Sequence, residues 1–528
     1  MLVHVLRNGS VGRSCRRLAD LVARQATLHA ILILLLGVAT PTLSATLAVP
    51  TDYATITEAL TAAVPGDTVL VSPGVYAESM KPTPHGLSMI LMASDVVLLS
   101  TDGPDVTFLD GMGGGRCVYF GEVGMSTRLE GFTIRNGVAL GTELYEDHGG
   151  GVFCFHSSPT LSGCIFTENA AGIGGGMACD HPSTPTVRGC TFERNEALDG
   201  GGFAFLGSSA ARLESCVFRE NEAVRGGAVE CYVSTPTIEA CVFEENHASS
   251  VGGAVHVFLG GPRILESTFW MDDAATGGTI RAETGSLVEV LNSSIAGSEV
   301  TGSISSGAIS LLDSFASIDH SIVAFTTMGS AVQCEGASSG ADVYCSDFFG
   351  NEGGDWIDCV AGAFGDGNIA DDPLFCAFDS GVLTLDVTSP CTGPNAGDCG
   401  QIGALPAGCE VSGLPSGELP GGNGDSNEGG DGGAKGWAGL SIRLEENPVR
   451  GRLQVELVLT APAELRIEVI DVSGRCLSTV AARPFPSGRS SIGWDVRYNE
   501  HSSLPRGTYF LRAVSPFGVT VRPFVVVG

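Results

Sequence analysis

Basic charge is what this 528-residue chain has least of. It contains only two lysines, Lys81 and Lys435, and its formal net charge is −31. Nucleic acids and anionic lipid surfaces are recognised through basic patches, so neither is expected as a partner. Charged residues of both signs make up only 16% of the chain and aromatics 7%. Beyond the N-terminal region there is no apolar run near the roughly 20 residues that a membrane-spanning helix needs. A mature chain without a transmembrane helix is therefore expected.

Glycine is abundant, with 74 residues, and hydrophobic residues reach 43%, which is enough for a sizeable core. Much glycine, few charges and scattered Val, Ile and Phe point to short strands and tight turns rather than helices. The N-terminus reads as an export signal over residues 1–45. Arg7, Arg13, Arg16, Arg17 and Arg24 form a basic region, an apolar stretch covers residues 28–38, and small residues follow, with cleavage after Ala45 or Ala48. The alternative is an uncleaved N-terminal anchor. The residues flanking Arg16-Arg17 fit twin-arginine export poorly. Seventeen cysteines suit an oxidising compartment.

An internal repeat organises the middle of the chain. Five segments, opening at Gly149, Gly174, Gly200, Gly226 and Gly252, step by 25, 26, 26 and 26 residues. Each alternates apolar and polar residues with period two, as strands with one buried face do. No strand has room for a hairpin within its own coil, so its partner is the equivalent strand one coil on. Parallel stacking at roughly 4.8 Å per coil then builds a solenoid. In such a stack Cys164, Cys190, Cys216 and Cys241 form one interior ladder. Phe166, Phe192, Phe218, Phe243 and Phe269 form the next, and Asn169, Asn195, Asn221 and Asn246 form a corner ladder of hydrogen-bonded amides.

The GGA…C-x-F-x-x-N-x-A pattern of these coils resembles the repeats of right-handed parallel β-helix proteins with the pectin-lyase-like fold. It is especially similar to the polymorphic outer-membrane-protein repeats of bacterial surface proteins. The resemblance implies an all-β fold, a β-helix over residues 46–410, and no particular activity, because this fold hosts lyases, hydrolases, adhesins and non-enzymes. TDYATITEALTAAVPGDTVLVSPGVYAES, from Thr51, resembles the opening segment of exported β-helix proteins. Thr55 and Glu58 form a capping box there, and Ile56, Ala59, Leu60 and Ala63 form one apolar stripe on a helix that covers the end of the solenoid. Pro65-Gly66-Asp67 then turns into the first strand. From Val332 the coils become irregular. DPLF and SPC…CG-x-IGA resemble the closing segment of such proteins. Local pairing suggests disulfides Cys334–Cys345, Cys359–Cys376 and Cys391–Cys399, with Cys409 left over, although spacing alone does not determine connectivity.

Residues 411–437 are a Gly-rich linker. Residues 438–528 show alternating strands at sandwich spacing. Asn447-Pro448, Asp471-x-Ser473-Gly474-Arg475, Trp494-Asp495 and Gly507-x-Tyr509-Phe510 resemble the Ig-like module of flagellar hook-capping proteins and type IX secretion sorting domains. The resemblance implies a sorting or anchoring role through the secretion machinery, and the chain end lacks the basic residue often found in true sorting domains. With 91 residues (438–528) the module is too short for an autotransporter barrel.

Candidate chemistry is sparse. Asp366, Asn368, Asp371 and Asp372 offer oxygen ligands in one Gly-containing loop, as a calcium site does, although an ordinary Asx-rich turn reads the same way. No cofactor is otherwise required. Glu146, Asp147 and His148 form an acid/base-capable cluster before the first Gly-Gly-Gly. Asp272-Asp273 stands where other coils have their Glu-Asn corner and reads as a corner variant. Arg188, Arg194, Arg212, Arg219 and Arg225 read as solvated outward positions. The spacing of the interior cysteines does not match a zinc site. The expected function is a secreted or surface-displayed, monomeric structural or binding β-helix, an adhesin or glycan binder whose partner is a polysaccharide or cell-surface glycan. The alternative is a polysaccharide lyase or hydrolase. A cleft lined with aromatics, carboxylates and a basic residue on one face favours the enzyme, and an evenly polar surface favours binding.

Overall fold

A computed structural model describes residues 44–180, 182–207, 209–302, 306–365 and 367–409, and strand segments between residues 440 and 526. The proposed signal peptide, apart from its last two residues, and the linker 411–437 lie outside the described residues. Residues 46–528 group as one compact unit.

The chain is a right-handed parallel β-helix with three long sheets. Sheet 1 has 12 strands, from Thr46–Val49 to Gly340–Tyr344. Sheet 2 has 11, from Gly74–Tyr76 to Asp347–Phe349, and sheet 3 has 11, from Lys81–Thr83 to Ser330–Glu335. Every ladder in the three is parallel apart from the hairpin of Lys81–Thr83 with Gly86–Leu91. Each coil visits the three sheets in turn, and a short fourth strand such as Glu222–Arg225 appears at one corner in the middle coils.

The interior ladders form as the repeat predicts. Phe166, Phe192, Phe218, Phe243 and Phe269 are fully buried and pair in register up sheet 2. Neighbouring rings stack at 4.4–4.9 Å with planes within 7° of parallel. The Cys164–Cys241 column is buried and carries free thiols. Asn169, Asn195 and Asn221 each donate Nδ2 to the Oδ1 of the next amide at 2.9–3.0 Å and to a backbone carbonyl of the preceding coil at 2.9 Å. The ladder ends on Asp272, whose Oδ1 accepts from the backbone N–H and Nδ2 of Asn246.

The N-terminal helix is Ile56–Ala62, with Thr55 as N-cap accepting from Glu58 N and with Ile56, Ala59 and Leu60 buried. Glu58 reaches back to Ala54 N rather than to Thr55 N. The first strand is not the one after Pro65-Gly66-Asp67. Thr46–Val49 precedes the helix and pairs in parallel with Thr68–Val71, because the apolar alternation of Leu47 and Val49 starts the core one coil earlier.

The disulfides correct the local pairing. They are Cys334–Cys359, Cys345–Cys399 and Cys376–Cys409. Cys334 is on sheet 3 and Cys345 lies just after a strand of sheet 1. Sequence neighbours within a coil therefore sit on different faces, while Cys334 and Cys359, 25 residues apart, sit one coil apart. The unpaired cysteine is Cys391, not Cys409, and its thiol lies 3.1 Å from Asp347 Oδ2.

The C-terminal stretch forms a three-stranded and a four-stranded antiparallel sheet. Leu453, Val455 and Leu457 of the first and Leu465, Ile467, Val469 and Leu511 of the second share one core.

Candidate functional site

The outward residues of sheet 3 change from coil to coil. The strands Val152–Phe155, Met177–Asp180, Phe203–Leu206, Val229–Tyr232, Val255–Phe258 and Ile280–Glu283 pair in register. Their inward residues, such as Val152 and Cys154, fill the core. Their outward residues run in two rows along the axis. One row passes from Phe153 through Ala178 and Ala204 to Glu230, His256 and Arg281. The other carries Phe155, Asp180, Leu206, Tyr232, Phe258 and Glu283. Five steps at about 4.8 Å make a face roughly 24 Å long.

The end of this face nearer the N-terminus is aromatic. His85 Nδ1 lies 2.9 Å from the Tyr119 hydroxyl, and its ring packs on Phe155 at 4.1 Å and edge-on to Tyr145 at 5.3 Å. Arg116, 1% exposed, lies under this cluster with its guanidinium 5.0 Å from the Phe153 ring centre. It donates to the carbonyls of His148 (2.6 Å), Tyr145 (3.2 Å) and His85 (3.1 Å). Burial pushes Arg116 down to about 10, so it remains a cation. A charge spent on backbone carbonyls pins the loop carrying Tyr145 and His148 against the sheet. His148 Nδ1 faces Asp147 Oδ1 at 2.8 Å, and burial holds the imidazole below its ordinary range.

The opposite end is a chain of charges. His256 Nδ1 lies 2.7 Å from Glu230 Oε2, and both side chains are nearly inaccessible. On the other side Glu283 Oε2 lies 3.8 Å from His256 Nε2, too far for a hydrogen bond, and Nε2 is buried with no hydrogen-bond partner. Arg281 ties Glu283 at 3.0 Å to Glu335 at 2.7 Å. Burial disfavours the His256 cation, but the two carboxylates outweigh it and push His256 up to about 9. The neighbouring His256 leads the causes that hold Glu283 down to about 2, with Arg281 adding to it. Burial raises Glu230, and His256 partly offsets it.

Between the ends lies a cleft of about 480 Å³ lined by His148, Ile173, Asp180, Asp199, Leu206, Gly207, Arg225, Glu230, Tyr232, His256, Phe258 and Glu283. The rings of Tyr232 and Phe258 run parallel, 5.4 Å apart and 3° from coplanar. Arg225 is engaged by both oxygens of Asp199 at 2.5 and 2.7 Å.

Of the residues singled out from sequence, the structure brings His148 into this cleft, held by Asp147. Glu146 accepts from Glu143 N within its own loop. Arg188, Arg194, Arg212, Arg219 and Arg225 all point outward, as expected, and each meets a carboxylate of its own or an adjacent coil. Asp272 is fully buried and is the corner variant that its position indicates. In the proposed calcium loop, Asp366 lies outside the described residues. Asn368 Oδ1 accepts from Ser346 N, and its Nδ2 donates to the carbonyls of Val343 and Ala363, which makes it a corner amide. Asp371 N donates to Asp347 Oδ1, and Asp372 Oδ1 accepts from Leu374 N. Among the described residues no three His, Cys, Asp or Glu side chains group as metal ligands.

Glu230, His256, Arg281, Glu283 and Asp180 went unnoticed in the sequence. Glu230, His256 and Arg281 left only a positional sign: in GGAVECY, GGAVHVF and GGTIRAE the second strand residue is charged or imidazole, where the preceding two coils have alanine.

A family description, right handed beta helix region, matches residues 105–269. No curated protein matches the sequence significantly. Among solved structures the chain is similar to pectate lyase Pel9A, at 13% identity and TM-score 0.39, covering 69% of this chain and 97% of that one. It is also similar to a pectin methylesterase from Yersinia enterocolitica, at 12% identity and TM-score 0.28, covering 59% of this chain and 97% of that one. Full-length tailspike protein 2 from Escherichia coli O157:H7 bacteriophage CAB120 shares 10% identity at TM-score 0.30, covering 86% of this chain and 64% of the tailspike.

Proposed function

We propose that this is an exported glycan-binding β-helix that holds an extended, uncharged polysaccharide along the outer face of sheet 3. The observation that carries the reading is the cleft beside the parallel Tyr232 and Phe258 rings. It combines an apolar wall with carboxylates able to accept from sugar hydroxyls, the mixture typical of small-molecule sites. The charge pattern selects the glycan class. Asp180, Asp199, Glu230 and Glu283 line the cleft against Arg225 and the His256 cation. Arg225 and the neighbouring Arg281 are both engaged by protein carboxylates. Neither cation is free to receive a uronate, and a polyuronate would meet a surplus of negative charge.

Cleavage of the glycan is the second reading. Aromatics, carboxylates and a basic group do share one cleft, the arrangement that favours an enzyme, and the Asp147–His148 pair has the form of an oriented base. Binding stands first because the groups best placed for proton transfer are covered: Glu230 and His256 hold each other, and His256 Nε2 is inaccessible. Incubating the purified chain with neutral and acidic polysaccharides, and measuring both retention and release of products, separates the two. Retention of a neutral glycan without product is the expected result. Product formation lost in His148→Ala would establish the enzyme instead.

Export and surface attachment belong to the same reading. They are supported by the basic and apolar segments of residues 1–45 and by the sorting-domain-like pattern of residues 438–528. Deleting 438–528 is expected to leave the β-helix folded and to reduce the amount reaching the cell surface. Undiminished display would reduce that module to a spacer.

A further inference from the structure

A second cavity, of about 620 Å³, lies at the corner that follows sheet 2. The residue at this corner adopts positive φ in coil after coil. In the earlier coils it is Glu168, Arg194, Glu220 or Glu245, and in the later ones Met271, Gly297 and Phe325. The polar edge therefore becomes apolar where the chain returns to cover it. The covering segment runs from Asp372 to Thr388. It contains the antiparallel strands Phe375–Ala377 and Val382–Asp386 and is fixed by the Cys376–Cys409 disulfide. Gly297 permits the close approach, since a Cβ there would meet Phe378 and Met271 at 3.0 Å.

The segment brings three aromatic rings together. Phe325 lies 5.0 Å from Phe378 and 6.3 Å from Phe375, both strongly tilted, and Phe375 lies 6.5 Å from Phe378. Glu299, Asp372 and Asp386 also line the cavity, and among the described residues its lining contains no Lys, Arg or His. Asp372 Oδ1 accepts from Leu374 N, and Asp386 Oδ1 accepts from Thr388 N and from the Thr388 hydroxyl. Glu299 and Asp372 have no ion pair among the described residues. Ring faces around a void with the Glu299 and Asp372 carboxylates at its edge complement one ligand chemistry. A cation whose charge is spread over alkyl groups gains from the rings without losing a tight hydration shell. Metal cations fit poorly, because they require several convergent oxygens.

We propose that this pocket binds an organic ammonium ion, with its alkylated nitrogen among Phe325, Phe375 and Phe378 and its charge balanced by Glu299 and Asp372. The site is separate from the sheet 3 cleft and does not depend on the glycan reading. Calorimetric titration of the full chain with choline, and with its neutral isostere carrying tert-butyl in place of trimethylammonium, tests it. Choline should bind at least about tenfold more tightly than the isostere, the difference expected of a desolvated cation–π contact. Glu299→Gln, at an exposed position, should weaken choline binding several-fold while leaving the melting temperature unchanged. Phe378→Leu should reduce the preference for choline over the isostere. Equal affinity for choline and the isostere would make the cavity merely apolar and overturn the proposal. Absence of choline binding at millimolar concentration would overturn it as well.

Discussion

Asp272 shows how much one side chain can differ from its ladder mates. The asparagines before it use Oδ1 as acceptor and Nδ2 as donor, whereas Asp272 keeps the acceptor and loses the donor. Its Oδ2 is buried without a partner, and burial drives the group up to about 8. In an unfolded chain it titrates near 3.9. The folded state therefore holds a proton that the unfolded state has released, and the contribution to stability is full below about pH 4 and declines as pH rises towards 8. Asp272→Asn restores the missing donor, which in the ladder pattern reaches the Phe243 carbonyl. It should stabilise the protein by about 1–3 kcal/mol at pH 8, the cost of an unsatisfied buried polar group. Little gain is expected at pH 4. Denaturation curves at the two pH values check this, and equal gains at both would contradict it.

His256 is the other residue with a pH signature. Its folded value of about 9 lies above the ordinary 6.5, so its contribution is complete below pH 6.5 and is lost as pH rises through 9. Glu283, held near 2, behaves oppositely and loses its contribution as pH falls from about 4 through 2. An imidazole NMR titration should find His256 protonated at neutral pH, and Glu230→Gln should lower its midpoint. A His256 midpoint below 6.5 in the wild type would show that burial, not the carboxylates, dominates there.

At the scale of the coil, the interior was legible and the outer face was not. The stacked ladders repeat one residue type, so Phe166 to Phe269 and Asn169 to Asn246 announce themselves at a fixed step. Phe218 sits between Phe192 at 4.7 Å and Phe243 at 4.9 Å. Phe218→Ala should cost roughly 3–5 kcal/mol, read from the shift of the denaturation midpoint. An unchanged midpoint would place that ring outside the core. The cleft residues follow a different logic. Glu230, His256 and Arg281 share a register position but not a chemistry, so no repeat marks them. Their meaning depends on three coils being adjacent in space. The same cause misled the disulfides: spacing along the chain measures distance around a coil, while bonding follows distance along the axis.

At the scale of the molecule, a solenoid with a helix over its N-terminal end carries a long outer face on each sheet, and sheet 3 alone combines the loop pinned by Arg116 with the charged row. The C-terminal sheets have a core of their own, with Leu453, Ile467 and Leu511 fully buried. Arg512 also donates to the Gly408 carbonyl at the end of the β-helix, at 2.7 Å. Limited proteolysis should cut between 411 and 437 and leave both parts folded, as judged by mass spectrometry and circular dichroism of the separated fragments. Loss of structure in the smaller fragment would mean that it depends on the β-helix.

We propose that the sheet 3 cleft holds an uncharged glycan. Calorimetric titration with neutral and uronate oligosaccharides, using the wild-type chain and Tyr232→Ala, tests it most directly. Tyr232 is 47% exposed and lies at the edge of the cleft, so its removal should leave the fold intact. A neutral oligosaccharide should bind, at least about tenfold more weakly in Tyr232→Ala, the loss expected when an aromatic contact is removed from a site. The uronate series should not bind. Tighter binding of the uronates, or neutral-glycan affinity unaffected by Tyr232→Ala, would contradict it.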